Sequence, residues 1–375
     1  MMLLWFIIGC GRPSSSYDVK VYGQGTSLDE IHSAPQTMGG VIEYARFRIW
    51  GSYIGHGFTG LYGDTPYVPG TSFTLGSGVF AYPPHPSFDR VSPLITTGPA
   101  EMDSCFRALG TRGEPFSVEY VDVGDRITLT NEEVSVRLNR DPSLYPKPAG
   151  ETWYIGYGAA LQPALTSYPH GADTWPAQAA DLTLHFPGTL PPKDTMVGAI
   201  PYPVTDSLPI PHPLTNVQIN GSSLSQSATS FTGPWSESLN LTWDPAPNAS
   251  PLTVSIRLIG SGDAQGPCDC DADCSEGLVC QDTVCMPQHG ASDQQLGELV
   301  CTLRDDGEFS IAPSMMAPLR GEVEAAGALL IVSRVAESQI SDPPSILTHN
   351  GKKLQNAPIR TRGIDAIITR LELSP

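Results

Sequence analysis

The chain has 375 residues, more than one ordinary hydrophobic core organises, and its 40% apolar content argues against general disorder. With 37 Gly and 36 Pro but only 16% charged residues, long helices are disfavoured and an all-β fold of short strands joined by turns is expected. A formal net charge of −18 argues against nucleic acid or anionic lipid as a partner, because both need a cationic surface.

Met1 to Ile8 is continuously apolar, far shorter than the about 20 residues a membrane-spanning helix needs. It ends in Ile7-Ile8-Gly9-Cys10, which resembles the lipobox of bacterial lipoproteins, where a small residue precedes the cysteine that is acylated and becomes the new N-terminus. The resemblance implies a signal peptide over 1–9 and a thioether-linked diacylglycerol on Cys10, usually with a further acyl chain such as palmitate on its amine. Each buried CH₂ contributes about 0.8 kcal/mol, so two or three chains hold firmly where one does not. The stretch before Cys10 is shorter than usual and lacks basic residues, as a start codon assigned too far downstream would produce. Residue 11 is Gly and not the Asp that in many bacteria retains lipoproteins in the inner membrane. The expected location is therefore the cell outer membrane, with plain secretion as the alternative. Residues 10–37 are expected to be the lipidated cysteine and a flexible tether.

From residue 38 period-two alternation recurs, and 38–200 is read as an N-terminal β domain. Ala45, Phe47 and Ile49 alternate with Arg46 and Arg48, and Phe116, Val118 and Tyr120 with Ser117 and Glu119. After the Val123-Gly124-Asp125 turn come Ile127 and Leu129, then Val134, Val136 and Leu138, then Trp153, Ile155 and Tyr157, then Leu182, Leu184 and Phe186. One face in and one face out suits antiparallel sheets with a solvated side. Pro201, Pro203, Pro209, Pro211 and Pro213 follow closely, so 201–213 is read as an extended linker.

Residues 214–375 are read as a C-terminal β-sandwich. Leu239, Leu241 and Trp243 form one alternating set, and Leu252, Val254, Ile256 and Leu258 another. Leu299, Cys301 and Leu303 follow, and Asp306-Gly307 is a tight-hairpin signal leading into Phe309 and Ile311. Ala328–Val335 and Ile367–Leu373 supply two more strands. The cysteine-rich insertion, 261–295, interrupts two strands that would otherwise be hairpin neighbours, and so reads as an elaborated loop. Cross-links would stabilise such a loop by about 2–4 kcal/mol each.

Within it, Asp271-Ala272-Asp273-Cys274-Ser275-Glu276-Gly277-Leu278-Val279-Cys280, closing with Cys285, resembles the short disulfide modules of secreted proteins of myxobacteria and their relatives. With the lipobox and the flank Leu299–Ile311, it resembles lipoproteins of the myxobacterial type. The resemblance implies an extracytoplasmic compartment and no particular chemistry. The pairings expected are Cys270 with Cys280, Cys274 with Cys285 and Cys268 with Cys301, leaving Cys105 free or buried. Sequence alone fixes no connectivity. Zinc is the rival, but the spacing lacks the paired C-x₂-C knuckles of structural sites. Asp269, Asp271 and Asp273 alternate and could aim carboxylates at one Ca²⁺, although Cys stands at the Gly and closing Glu positions of an EF-hand. The plain alternative is solvated acids beside disulfides; no cofactor other than Ca is suggested.

Gly55-His56-Gly57-Phe58-Thr59-Gly60 matches G-x-G-x-x-G, but Tyr62, Gly63 and Pro66 follow where a pyrophosphate site needs a helix. H-E-x-x-H, G-x-S-x-G and G-K-[ST] do not occur, and His185 reads as an outward residue on a strand. No catalytic residue is singled out. Trp153 and Trp175, with Tyr154, Tyr157 and Tyr168, are either core or an exposed platform for sugars. The expected function is a non-enzymatic binding or structural module of the envelope, with an envelope protein as partner. The alternatives are polysaccharide recognition through Trp153 and Trp175, and a hydrolase with a dispersed site.

Overall fold

The computed structural model describes residues 16–22, 39–50, 71–82, 101–113, 119–140, 153–157, 175–190, 198–224, 231–234, 236–247, 251–259, 278–281, 284–287, 295–320, 327–348, 351, 353–354 and 359–374. These residues are nearly all strand. The chain opens with β1 (Ser16–Tyr22), β2 (Gly39–Trp50), β3 (Thr71–Tyr82), β4 (Ser104–Gly113), β5 (Glu119–Asp122), β6 (Arg126–Thr130), β7 (Ser135–Arg140), β8 (Trp153–Tyr157) and β9 (Ala180–Phe186). Then come β10 (Gly198–Ala199), β11 (Val204–Ile210), β12 (Gln218–Ile219), β13 (Ser222–Ser223), β14 (Phe231–Pro234), β15 (Leu239–Thr242) and β16 (Leu252–Ile259). The last third holds β17 (Leu278–Gln281), β18 (Val284–Pro287), β19 (Gln295–Leu303), β20 (Glu308–Ile311), helix α1 (Pro313–Arg320), β21 (Gly327–Gln339), β22 (Ile346–Leu347), β23 (Lys353–Leu354) and β24 (Ile359–Ser374).

One continuous ladder runs β1-β4-β19-β16-β21-β24-β2-β3-β8-β7-β6-β9-β11. Its pairs are antiparallel except where β24 lies parallel to β2; β14 also joins β24 in parallel, as β10 joins β5. A small sheet, β13-β12-β15-β20, pairs separately. Two apolar cores result. The first gathers Ile42, Tyr44, Phe80, Ile127, Leu129, Leu138, Leu184 and Phe186 and extends along the chain to Ile210. The second starts at Leu214 and packs Ile219, Leu239 and Leu241 of the small sheet against Val254, Leu303, Leu330 and Ile367. Ile340, Ile346 and Ile359, late in the chain, belong again to the first core.

β24 joins the two. One of its faces presents Ile359 to the first core, then Gly363 and Asp365, then Ile367 and Leu371 to the second. Both faces of this strand are covered, since every residue from 361 to 369 is buried. Alternation is clean only near the periphery, as in β7, where Val136 and Leu138 are buried between exposed Ser135, Arg137 and Asn139. In β16 Thr253 and Ser255 are buried along with Leu252, Val254 and Ile256, because the strand lies inside the sheet between β19 and β21. The expected neighbourhood of β16 and β19 is present, with Ile259 opposite Gln295 at the roots of the cysteine-rich segment.

Several local expectations are corrected. Residues 16–22, expected inside the tether, form β1 on the edge of β4; Tyr17, Val19 and Val21 alternate with Asp18 and Lys20, a strand pattern in its own right. The expected linker 201–213 contains β11, which pairs along its whole length with β9 and accommodates Pro209 because β9 is its one ladder partner among the described residues. Asp306-Gly307 does not close a hairpin: β19 pairs with β16 and β4, whereas β20 pairs with β15. Gly307, at φ 100°, instead turns the chain from one sheet to the other. A short helix, α1, follows; Pro313 at its first position suits a helix start, and Met316 is buried in the second core.

Candidate functional site

A buried polar cluster lies between the two cores, where the chain crosses from β11 to Leu214. Pro209 rests on Gly363: a Cβ there would fall far inside van der Waals contact of the Pro209 carbonyl oxygen and 2.9 Å from Ile210 Cα. Beyond it the crossover has no strand partner, and Pro211 and Pro213 have no N–H to give. Side chains take the place of a ladder. Arg334 Nη1 donates to the carbonyls of His212 (3.2 Å) and Pro213 (2.8 Å), and Arg48 Nη2 donates to that of Leu214 (2.7 Å). The Leu214 N–H donates to Asp365 Oδ2 at 2.6 Å.

Strand register explains why these charges meet. Asp365 on β24 stands between Arg46 on β2 and Arg334 on β21. Arg46 binds it through Nε (2.7 Å) and Nη2 (2.9 Å), and Arg48 adds Nη2 at 2.7 Å. Arg334, 1% exposed, turns instead to Asp305, with Nη2 at 3.0 Å from Oδ1 and Nε at 2.9 Å from Oδ2. Trp243 Nε1 (2.7 Å) and the Ala246 N–H (3.0 Å) complete the shell of Asp305. Three residues along β24, and therefore on its other face, Arg362 lies between Glu43 and Glu337, with 3.3 Å and 2.6 Å contacts.

The chemistry this cluster can perform follows from its saturation. Asp365 accepts four donated hydrogen bonds, three from guanidinium groups, and Asp305 is likewise surrounded by donors. These bonds hold the crossover backbone in place and join the two cores. Among the described residues no group of three or more His, Cys, Asp or Glu could hold a metal ion. The sequence carried a signal for this cluster that periodicity reasoning passes over: single charges inside apolar runs, Arg334 within Leu329–Val335 and Asp365 within Ile364–Ile368.

A second feature ties the same sheet together. Cys105 on β4 and Cys301 on β19 oppose each other in register and form a disulfide. This corrects the expected Cys268–Cys301 pair and the free Cys105. Two neighbouring strands place the thiols side by side, a juxtaposition set by residues 196 apart that spacing along the chain does not reveal. Cys280 and Cys285 are register partners on the β17–β18 hairpin. Cys10, Cys268, Cys270 and Cys274, Asp269, Asp271 and Asp273, and the Gly55–Gly60 motif lie outside the described residues.

Of the aromatic candidates, Trp153 falls on β8, and Trp175 belongs to the first core. It is 8% exposed, stacks on Tyr44 at 5.5 Å between ring centroids, and has the Arg46 guanidinium 5.5 Å above its ring. Of the two readings given for Trp175, core and exposed sugar platform, this is the core one. His185 is half-buried on β9, with Nδ1 3.0 Å from Thr205 Oγ1. No described helix is long and apolar enough to cross a membrane.

No protein-family model matches the chain, and no curated protein matches it. Among solved structures it is similar to the zebrafish (Danio rerio) Fcho1 mu homology domain with a bound Eps15 peptide, at 10% identity and a TM-score of 0.16 over 90% of this chain and 97% of that one. It is also similar to the yeast delta-COP-I mu-homology domain, at 8% identity and a TM-score of 0.21 over 90% of this chain and 99% of that one. Likeness at this level assigns neither a family nor a function.

Proposed function

We propose that the chain is an exported lipoprotein, held to a membrane by acyl chains on Cys10, whose two β cores act as a non-enzymatic binding or structural module of the cell envelope. The observation that carries this reading is the Cys105–Cys301 disulfide. It joins two neighbouring strands across 196 residues with Cys301 wholly buried, and disulfides of this kind persist where the surroundings are oxidising. The lipobox ending in Cys10 supplies the address and the attachment point. An envelope protein is the partner this reading names. The outer membrane is the proposed location.

The test is intact mass of the mature protein from membranes of a lipoprotein-processing bacterium, before and after reduction. The expected result is an N-terminus at Cys10 with added acyl mass, a gain of two hydrogen atoms for each disulfide reduced, and loss from the membrane fraction in Cys10→Ala. An unmodified N-terminal methionine with all thiols reduced would overturn the reading.

A further inference from the structure

The strand ends divide the molecule into two poles. β1 begins with Ser16 opposite Gly113, beyond the last β19 partner of β4 at Glu298–Ala108. Following the ladder inward at the same height, Gln295 opposes Ile259, Ile259 opposes Gly327, and Ala328 opposes Leu371. Ser16 therefore shares a pole with both roots of the cysteine-rich segment, with the start of β21 and with the end of β24. The first core occupies the other pole, where Gly40 opposes Ile359 and Gln339 opposes Arg360. The 16 residues of β24 run from one pole to the other, about 50 Å at ~3.3 Å per residue.

Resting on the reading of Cys10 as the acylated residue, we propose that the pole bearing Ser16 is the membrane-facing end and that the first core is held away from the bilayer. Because residues 16–22 are docked as β1, the free reach is six Cα steps and not the whole of 10–37. Those steps span at most about 22 Å, less than half the length of β24. The anchor therefore lies close to the second core and to Ile259 and Gln295, the roots of the cysteine-rich segment. The segment 261–295 rooted at this end carries seven acidic residues and no Lys or Arg, so the short tether and not charge keeps this end near the lipid. The rest of the chain, also net acidic, is repelled by anionic headgroups over about 8–10 Å.

The experiment uses the full lipidated protein in vesicles of phosphatidylethanolamine and phosphatidylglycerol carrying a headgroup acceptor dye. A donor is introduced through an unnatural amino acid at Ser236 or at Asp342, both exposed. Ser236 lies two residues past Pro234, which opposes Ser374 at the second-core pole; Asp342 lies two residues past Ile340 in the first core. Strong energy transfer from Ser236 and its loss from Asp342 is the expected result. Insertion of about 20 Gly/Ser residues between Cys10 and Ser16 should weaken transfer from Ser236 by lengthening the tether. Equal transfer from both sites, or stronger transfer from Asp342, in a protein whose vesicle binding is lost in Cys10→Ala, overturns the orientation and leaves the anchor standing. Vesicle binding unchanged in Cys10→Ala, or absent altogether, overturns both.

Discussion

Gly363 and Asp206 show how much of the packing between the cores rests on single positions. At Gly363 the obstacle to a side chain is the backbone of Pro209 and Ile210, which cannot rotate away as a side-chain tip would. Gly363→Ala is therefore expected to cost about 3 kcal/mol, at the upper end of ordinary overpacking, and the urea midpoint measures it. A midpoint within error of the parent would show that the crossover does not press on β24. Asp206 concerns the same strand, β11. Burial raises its pKa, but hydrogen bonds from the Ser207 N–H (2.7 Å) and from the Ser341 hydroxyl and N–H (both 2.8 Å) outweigh this and hold the carboxyl below its ordinary value. A folded pKa below the unfolded one gives stability that is complete above the unfolded value of about 3.9 and lost as pH falls through the folded one. Asp206→Asn should therefore flatten the acid limb of Tm against pH while leaving the neutral slope alone; an unchanged acid limb would refute the link to Ser341.

Among the elements, β4 is held on one side by β1 and on the other by β19, to which the Cys105–Cys301 disulfide fixes it. Closing a loop of 196 residues in the unfolded chain makes this bond worth about 3–5 kcal/mol. Cys105→Ser with Cys301→Ala should lower the oxidised protein's stability by that amount. Equal stability of oxidised parent and double variant would mean that the pairing of β4 with β19 needs no cross-link. Elements of this kind differ in how far the sequence discloses them. β7, β9 and β15 have one exposed face, so Val136, Leu184 and Leu241 stood out by alternation. β2, β16 and β24 are covered on both faces, and their polar residues, Glu43, Ser255 and Asp365, are buried among apolar ones, which hides the period. The Pro-rich crossover looked like a linker because Pro cannot use a ladder on both sides; that Arg48 and Arg334 would satisfy its carbonyls depends on contacts across 166 and 121 residues. The same reason kept the charged cluster and the Cys105–Cys301 pair out of view.

For the whole molecule, the two cores share β24, so neither is complete without it. Leu184→Ala in the first core and Leu241→Ala in the second remove side chains that are 0% and 1% exposed, each at a cost of about 2–5 kcal/mol. Each is expected to lower one common melting transition, with calorimetric and van't Hoff enthalpies remaining equal. A split into two transitions, with each substitution moving only its own, would show two independent units. The sharing also has a temporal side. β2 finds its parallel neighbour only when the last strand exists, and Arg46 and Asp365 are separated by 319 residues. At about 5–20 residues per second, the ribosome needs tens of seconds to cover that interval. Until then the long ladder lacks the strand that joins β21 to β2, so its two halves stay apart on the nascent polypeptide although the small sheet is already complete by Ile311.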